Sequence, residues 1–219
     1  MKKDLRCEIK IPFNQAFDSA FLNWRDNLRF LKKVYADRIV NSIYYDTPEF
    51  DTAQDNLYGI SSRKKYRIRW YNKEKYLNYE IKFKKNNLGS KIIFSSKNIN
   101  TNFESLFSFR NLSMLGKNNF IEYVTNFNLE PKLKVSYNRS YYLLNNRIRI
   151  TFDRNIKYES PKLAKTQKKL IDTMNVVEIK YDLKDLNLAS EIIQNSNFVP
   201  KRFSKYLRGL SLIGNSVYI

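Results

Sequence analysis

The chain of 219 residues contains no histidine. That removes the commonest general base, the usual serine and cysteine triads and every His-ligated metal site. A single cysteine, Cys7, excludes an intramolecular disulfide and a thiolate zinc cluster. Any metal must therefore be held by oxygen, which selects Mg²⁺, Mn²⁺ or Ca²⁺. Glycine and proline number five each, and no GxxxxGK[ST] or glycine-rich phosphate loop occurs. No linker is evident, so residues 1–219 read as one domain. No apolar run approaches the roughly 18 residues of a spanning helix, and MKKDLRCEIK lacks the apolar stretch of a secretory signal. A cytoplasmic location is expected.

Acidic residues are also in short supply. Lys and Arg number 40 against 21 Asp and Glu, a formal net charge of +19. Yet 42% of the residues are hydrophobic, with 16 Tyr and 15 Phe, so this is a folded chain and not a basic tail. Self-repulsion of that size suggests an anionic partner: nucleic acid, a phosphate-rich small molecule, polyphosphate or an anionic membrane surface. A Lys- and Asn-rich composition inherited from the genome is the plain alternative.

Most of the pattern has period two. LRCEIKI, SIYYD, KYRIRWY, YLNYEIKFK, SKIIFSS, PKLKVSYNRSYYLL, RIRITFD and NVVEIKY alternate or are rich in β-branched and aromatic residues, which predicts about eight strands. Helices are predicted near 14–35 (Phe17, Phe21, Trp24 and Leu28 on one face), 103–115, 183–195 and 203–213. Asn145-Asn146 and Asn87 to Ser90 read as tight hairpin turns, so the strands beside them are antiparallel neighbours. The fold class is α+β.

The alternation sorts charge from bulk. Arg67 and Arg69 oppose Tyr66, Ile68 and Trp70; Glu80, Lys82 and Lys84 oppose Tyr79, Ile81 and Phe83. Arg147, Arg149, Thr151 and Asp153 oppose Ile148, Ile150 and Phe152, and Glu178 and Lys180 oppose Val177, Ile179 and Tyr181. Glu-Ile-Lys occurs three times, at 8–10, 80–82 and 178–180. A solvated outer face explains any one such strand. The repeated grammar, basic residues with sparse Glu opposite bulky aromatics, fits better a sheet closed on itself with helices outside and charges in the lumen. Buried like charges require a compensating anion, and Arg forks and Lys points suit phosphate oxygens.

In order along the chain, EIKIPF, SIYYDTPEFD, YRIRWY, YEIKFK, VSYNR, RIRITFD, VVEIKY and RFSKYLRG resemble the VTC polyphosphate polymerase domain of the triphosphate tunnel metalloenzyme superfamily. The resemblance covers residues 7–210. It implies an eight-stranded antiparallel β-barrel, the tunnel, with helices packed outside. It also implies transfer of the ATP γ-phosphate to a growing polyphosphate with Mn²⁺ or Mg²⁺. Carried over by motif, Lys10, Arg67, Arg69, Lys82, Arg139, Arg149, Ser204 and Lys205 resemble the family's phosphate ligands, with Lys91 and Lys180 as further candidates. Glu178 resembles its metal-binding glutamate. Tyr137 falls near the expected nucleobase position or is a plain core tyrosine. Arg202 stands where a lysine is expected.

The chemistry suits a chain without histidine. In polymerisation the nucleophile is a terminal phosphate oxygen, already ionised at neutral pH, so no general base is needed. Related CYTH-type triphosphatases open with Glu-x-Glu-x-Lys, whereas this chain has Arg6-Cys7-Glu8-Ile9-Lys10, which favours the polymerase. Hydrolysis of tripolyphosphate or nucleoside triphosphates, and non-catalytic polyanion or nucleic-acid binding, are the alternatives. Specific nucleic-acid recognition is not expected, because the aromatics oppose the arginines on each strand. A membrane-protein partner encoded elsewhere is compatible with the family. Asp46-Thr47-Pro48 reads equally as a turn and helix start or as part of an active site; Asp153 reads as the partner of an internal arginine before a carboxylate supporting the site, and Glu8 and Glu80 as ion-pair partners before metal ligands. Lys64-Lys65 and similar pairs read as solvated surface.

Overall fold

The computed structural model describes residues 7–74, 76–85, 88–96, 119–160 and 169–214. Among the described residues nine strands form one sheet in the order β1 (Cys7–Asn14), β9 (Met174–Tyr181), β7 (Ile148–Glu159), β6 (Glu130–Leu144), β2 (Leu31–Asp46), β3 (Ser62–Tyr71), β4 (Leu77–Lys85), β5 (Leu88–Ser96), with the short β8 (Leu170–Ile171) pairing with β7. Five α-helices accompany it among the described residues. The chain sorts into two compact units. One holds Met1–Ile39, Tyr137–Ile156 and Ile171–Phe203; the other holds Val40–Ser136, Lys157–Leu170 and Ser204–Ile219.

The first unit contains β1 (Cys7–Asn14), α1 (Asp18–Asp26), most of β7 (Ile148–Glu159), β9 (Met174–Tyr181) and α4 (Leu186–Gln194). β9 runs antiparallel to both β1 and β7. Alternation puts Ile11, Phe13, Ile148, Ile150, Phe152, Val177 and Ile179 into one core, where Phe21 and Trp24 of α1 and Ala189 and Ile192 of α4 join them. Trp24 spends its indole N–H on the Ile192 carbonyl at 3.2 Å, fastening the two helices.

The second unit contains β3 (Ser62–Tyr71), β4 (Leu77–Lys85), β5 (Leu88–Ser96), α2 (Asp51–Leu57), α3 (Asn119–Asn126) and α5 (Lys205–Leu212). β2 (Leu31–Asp46), β3, β4 and β5 pair antiparallel in sequence order. Ile43, Tyr45, Tyr66, Ile68, Trp70, Tyr79 and Ile81 form the core, capped by Phe120 and Val124 of α3. Gly209 lets α5 lie against two strands. A Cβ there would come within 2.5 Å of both Leu133 on β6 (Glu130–Leu144) and Tyr158 on β7.

The predicted strands are all present, with β8 (Leu170–Ile171) as an additional short one. The helix expected over 14–35 is corrected. α1 ends at Asp26, Phe30 takes a left-handed φ of 63°, and β2 begins at Leu31. Residues 32–37 are exposed, so the strand has no alternating burial to announce it. Arg147 precedes β7 and pairs with Asp185 at 3.0 Å. Leu88, Gly89 and Ser90 lie within β5, not in a turn; Asn87 and the helix expected at 103–115 fall outside the described residues. Asn145 and Asn146 form the predicted turn, both left-handed at φ 49° and 57°. Asn72, Asn128, Asn155 and Asn197 take the same conformation, the role glycine fills in chains with more of it. No helix among the described residues is long and apolar enough to cross a membrane.

Candidate functional site

The charged residues fall into two groups, one in each unit. In the first unit, β1 and β9 set Lys10 opposite Glu178 and Glu8 opposite Lys180, while Thr151 and Arg149 of β7 stand opposite Glu178 and Lys180. Lys180 Nζ lies 2.6 Å from Glu178 Oε1 and 3.6 Å from Glu8 Oε2. Lys10 Nζ pairs with Glu8 at 3.0 Å and donates to the Phe203 carbonyl at 3.1 Å. Arg139 of β6 grips Asp153 with Nε at 2.5 Å and Nη2 at 2.7 Å, and its Nη2 sits 4.0 Å from Glu178. Glu178 raises the Lys180 ammonium above its ordinary value, outweighing burial. Burial works against the Arg139 charge, but Asp153 leads the groups that hold it firmly protonated.

Tyr137 is buried, with the Arg139 guanidinium 5.2 Å from its ring centre, a cation–π contact. Arg149 is exposed on the same strand face as Thr151. The Thr151 hydroxyl is buried without a hydrogen-bond partner among the described residues. Glu178, opposite it in the register, offers carboxylate oxygens of the kind Mg²⁺ or Mn²⁺ takes. No cluster of three or more His, Cys, Asp or Glu forms a ready-made cage among the described residues. A single carboxylate fits an ion that arrives with phosphate, since Mg²⁺ typically takes one or two carboxylates and completes its shell with phosphates and water.

In the second unit, Arg67 of β3 stands opposite Glu80 of β4 and Tyr44 of β2. Its Nε donates to Glu80 at 2.7 Å and its Nη2 also pairs with that carboxylate. Lys91 Nζ lies 4.0 Å from the other Glu80 oxygen. Burial alone would raise Glu80, but Arg67, Arg69 and Lys91 overcome it and hold the carboxyl at about 2. Arg69 is buried and donates to Ser42 Oγ at 3.0 Å. Lys82 is half-buried between Lys65 and Lys91 in the register. Ser204 caps α5, accepting from Leu207 N–H, and Lys205 opens that helix.

Sequence reasoning missed three contributors here. Lys65, assigned to solvated surface, is half-buried and donates to Ser204 Oγ at 3.1 Å. Its parity with Arg67 and Arg69 was the available signal. Tyr44 accepts from Arg67 at 3.4 Å; burial would raise its phenol, yet Arg67, Arg69 and Lys205 pull it below its ordinary value. Tyr206 stacks on Tyr44 with ring centres 5.0 Å apart and donates to Asp46 at 2.7 Å. Asp46 also accepts from Thr47, Thr52 and Ala53, anchoring the start of α2 as the sequence suggested.

The VTC domain family matches residues 6–213. The chain belongs to the VTC domain family. No curated protein matches it by sequence. Solved structures share the VTC chain's fold at low identity. A candidate adenylyl cyclase from Hippeastrum, described as having a dominant triphosphatase activity, superposes with a TM-score of 0.58 at 13% identity, over 93% of this chain and 95% of that one. A candidate adenylate cyclase from Vibrio parahaemolyticus gives 0.56 at 16% identity, over 94% and 98%. A protein from Pyrococcus horikoshii gives 0.52 at 16%, over 95% and 98%. The VTC assignment makes this a member of a family of phosphate-handling metalloenzymes, consistent with basic residues arrayed on strands in both units.

Proposed function

We propose that this VTC domain is an ATP-dependent polyphosphate polymerase, its sheet closing into the tunnel that the family resemblance implies. The observation that carries the reading is how the buried carboxylates are spent. Asp153 is clamped by Arg139 and Glu80 by Arg67. Histidine is absent from the chain. What these strand faces offer a substrate is a set of fixed cations, with little to activate water. That inventory suits phosphoryl transfer between two already ionised groups.

In this reading a terminal polyphosphate oxygen attacks the γ-phosphorus of ATP, the bond to the β–γ bridging oxygen breaks, and ADP leaves. Arg67, Arg69, Lys82 and Lys91 bind and orient phosphate oxygens, with Ser204 and Lys205 adding the N-terminus of α5. Within the first unit, Lys10, Arg139, Arg149 and Lys180 are the cations of the same kind. Mn²⁺ or Mg²⁺, held at Glu178 with Thr151 opposite it, would supply charge neutralisation on the bound phosphates. Lys180 and Arg139 balance Glu178 when no ion is bound. Tyr137, buried under Arg139, orients that guanidinium.

Incubation with ATP and Mn²⁺ tests this. Long polyphosphate chains with stoichiometric ADP are expected; free phosphate without chains sinks the polymerase. That second outcome favours a triphosphatase, which the fold shared with the Hippeastrum protein supports. Salt-dependent polyanion binding without turnover would indicate a binder.

A further inference from the structure

Glu178 is buried, and a lysine ammonium stands on the oxygen that a divalent ion would take. Lys180 Nζ lies 2.6 Å from Glu178 Oε1. The two side chains share one face of β9, at alternate positions. Arg139 Nη2 stands off at 4.0 Å from Oε2, with its own fork committed to Asp153. Thr151 of β7 and Lys10 of β1 are opposite Glu178 in the register. All of these residues belong to the first unit.

A buried carboxylate needs a counter-charge. The ammonium supplies it in the free protein. A divalent ion would supply it too, and would claim the same oxygens. Holding both at once would crowd like charges onto one carboxylate, with Arg139 close by and little water to screen them. Occupation by one therefore weakens occupation by the other. Lys180 also has other anionic atoms within reach. Glu8, opposite it on β1, has Oε2 at 3.6 Å from Nζ. A phosphate group arriving at this face would offer further oxygens of the kind an ammonium binds well.

From this we infer that Lys180 is a resident counter-cation that keeps divalent metal off Glu178 until phosphate arrives. With nothing bound, the ammonium holds the carboxylate. When phosphate enters, the ammonium turns to its oxygens, keeping its proton, and Glu178 passes to the ion that accompanies the phosphate. Metal and phosphate then load together, and metal alone binds poorly. The inference rests on the reading of this face as a metal and phosphate site, and adds how its loading is controlled.

The test is Mn²⁺ binding by the whole chain without nucleotide or phosphate, followed by the paramagnetic resonance of unbound Mn²⁺ and by melting curves. Lys180→Met and Lys180→Gln should each bind Mn²⁺ about tenfold or more tightly than wild type, because the ion no longer has to break a charge-assisted hydrogen bond. Mn²⁺ should raise their melting temperatures more than that of wild type. Lys180→Arg should bind as weakly as wild type, and the gain should vanish when Lys180→Met is combined with Glu178→Gln. Sulfate, standing in for phosphate, should strengthen Mn²⁺ binding to wild type more than to Lys180→Met. Wild-type affinity in both neutral variants overturns the inference. So does tight binding by Lys180→Arg, a gain that survives Glu178→Gln, or an equal effect of sulfate on wild type and Lys180→Met. Neutral variants that stay unfolded in Mn²⁺ overturn it as well, since no ion then takes the place of the ammonium. The parent reading is tested apart from this, by chain synthesis from ATP in wild type: its failure beside an intact gain in Lys180→Met removes the polymerase and leaves the counter-cation standing.

Discussion

Arg139 holds Asp153 in a two-pronged grip, Nε to Oδ1 at 2.5 Å and Nη2 to Oδ2 at 2.7 Å, with the carboxylate wholly buried. The pair resolves a difficulty that the site would otherwise face. The guanidinium is charged in any case, and Asp153 compensates that buried charge when no anion is bound. Removing Asp153 leaves the cation uncompensated. Asp153→Ala should therefore destabilise the protein by about 3–5 kcal/mol, read from urea unfolding. A loss below about 1 kcal/mol would show the grip to be dispensable.

Glu80 gives the acid limb of the stability curve. Its folded carboxyl is depressed to about 2 by Arg67, Arg69 and Lys91 working against burial. A depressed acid contributes stability above its unfolded value and loses it as pH falls toward the folded one. The window is thus from about 4.5 down to about 2, and the contribution at neutral pH is roughly 3 kcal/mol. Glu80→Gln should be markedly less stable than wild type at pH 7 and converge with it near pH 2. Parallel curves across that range would contradict the assignment.

Arg69 and Glu178 carry the functional bet. Arg69→Ala and Glu178→Ala should each abolish ATP turnover while circular dichroism and thermal melting report a folded protein. Glu178→Ala should in addition lose the Mn²⁺ dependence of any residual activity. Full activity in both variants would remove the site from these strands.

Gly209 is a packing prediction independent of function. Gly209→Ala drives a methyl group to 2.5 Å from Leu133 and Tyr158. Overpacking of this kind costs about 1–3 kcal/mol, visible as a lowered melting temperature. An unchanged melting temperature would mean that α5 can move away freely.

Much of the sheet was legible because alternation is written in side chains that matter to it. Ile68 against Arg69, or Ile179 against Glu178, specifies both a strand and its orientation. Asn145-Asn146 likewise announced its turn, since few residues other than glycine accept two left-handed positions in succession. The start of β2 was illegible for the opposite reason: Lys32, Lys33, Val34 and Tyr35 are all exposed, so neither face selects residue type. The helix periodicity of Phe21, Trp24 and Leu28 then ran on unopposed past its true end. In the site, Glu80 and Asp153 were legible as partners of internal basic residues, but not which ones, since Arg67 and Arg139 come from neighbouring strands. Lys65 was not legible, because its partner Ser204 lies 139 residues away and no local pattern joins them.

β2 extends for 16 residues and β6 for 15, and each passes from one compact unit into the other. Every unit is assembled from three separate stretches of chain. No single cut could therefore release either one as a continuous fragment, and neither could have been acquired by simple gene fusion. The polypeptide must bring distant segments together before either unit is complete, which places it among slow, high-contact-order folders.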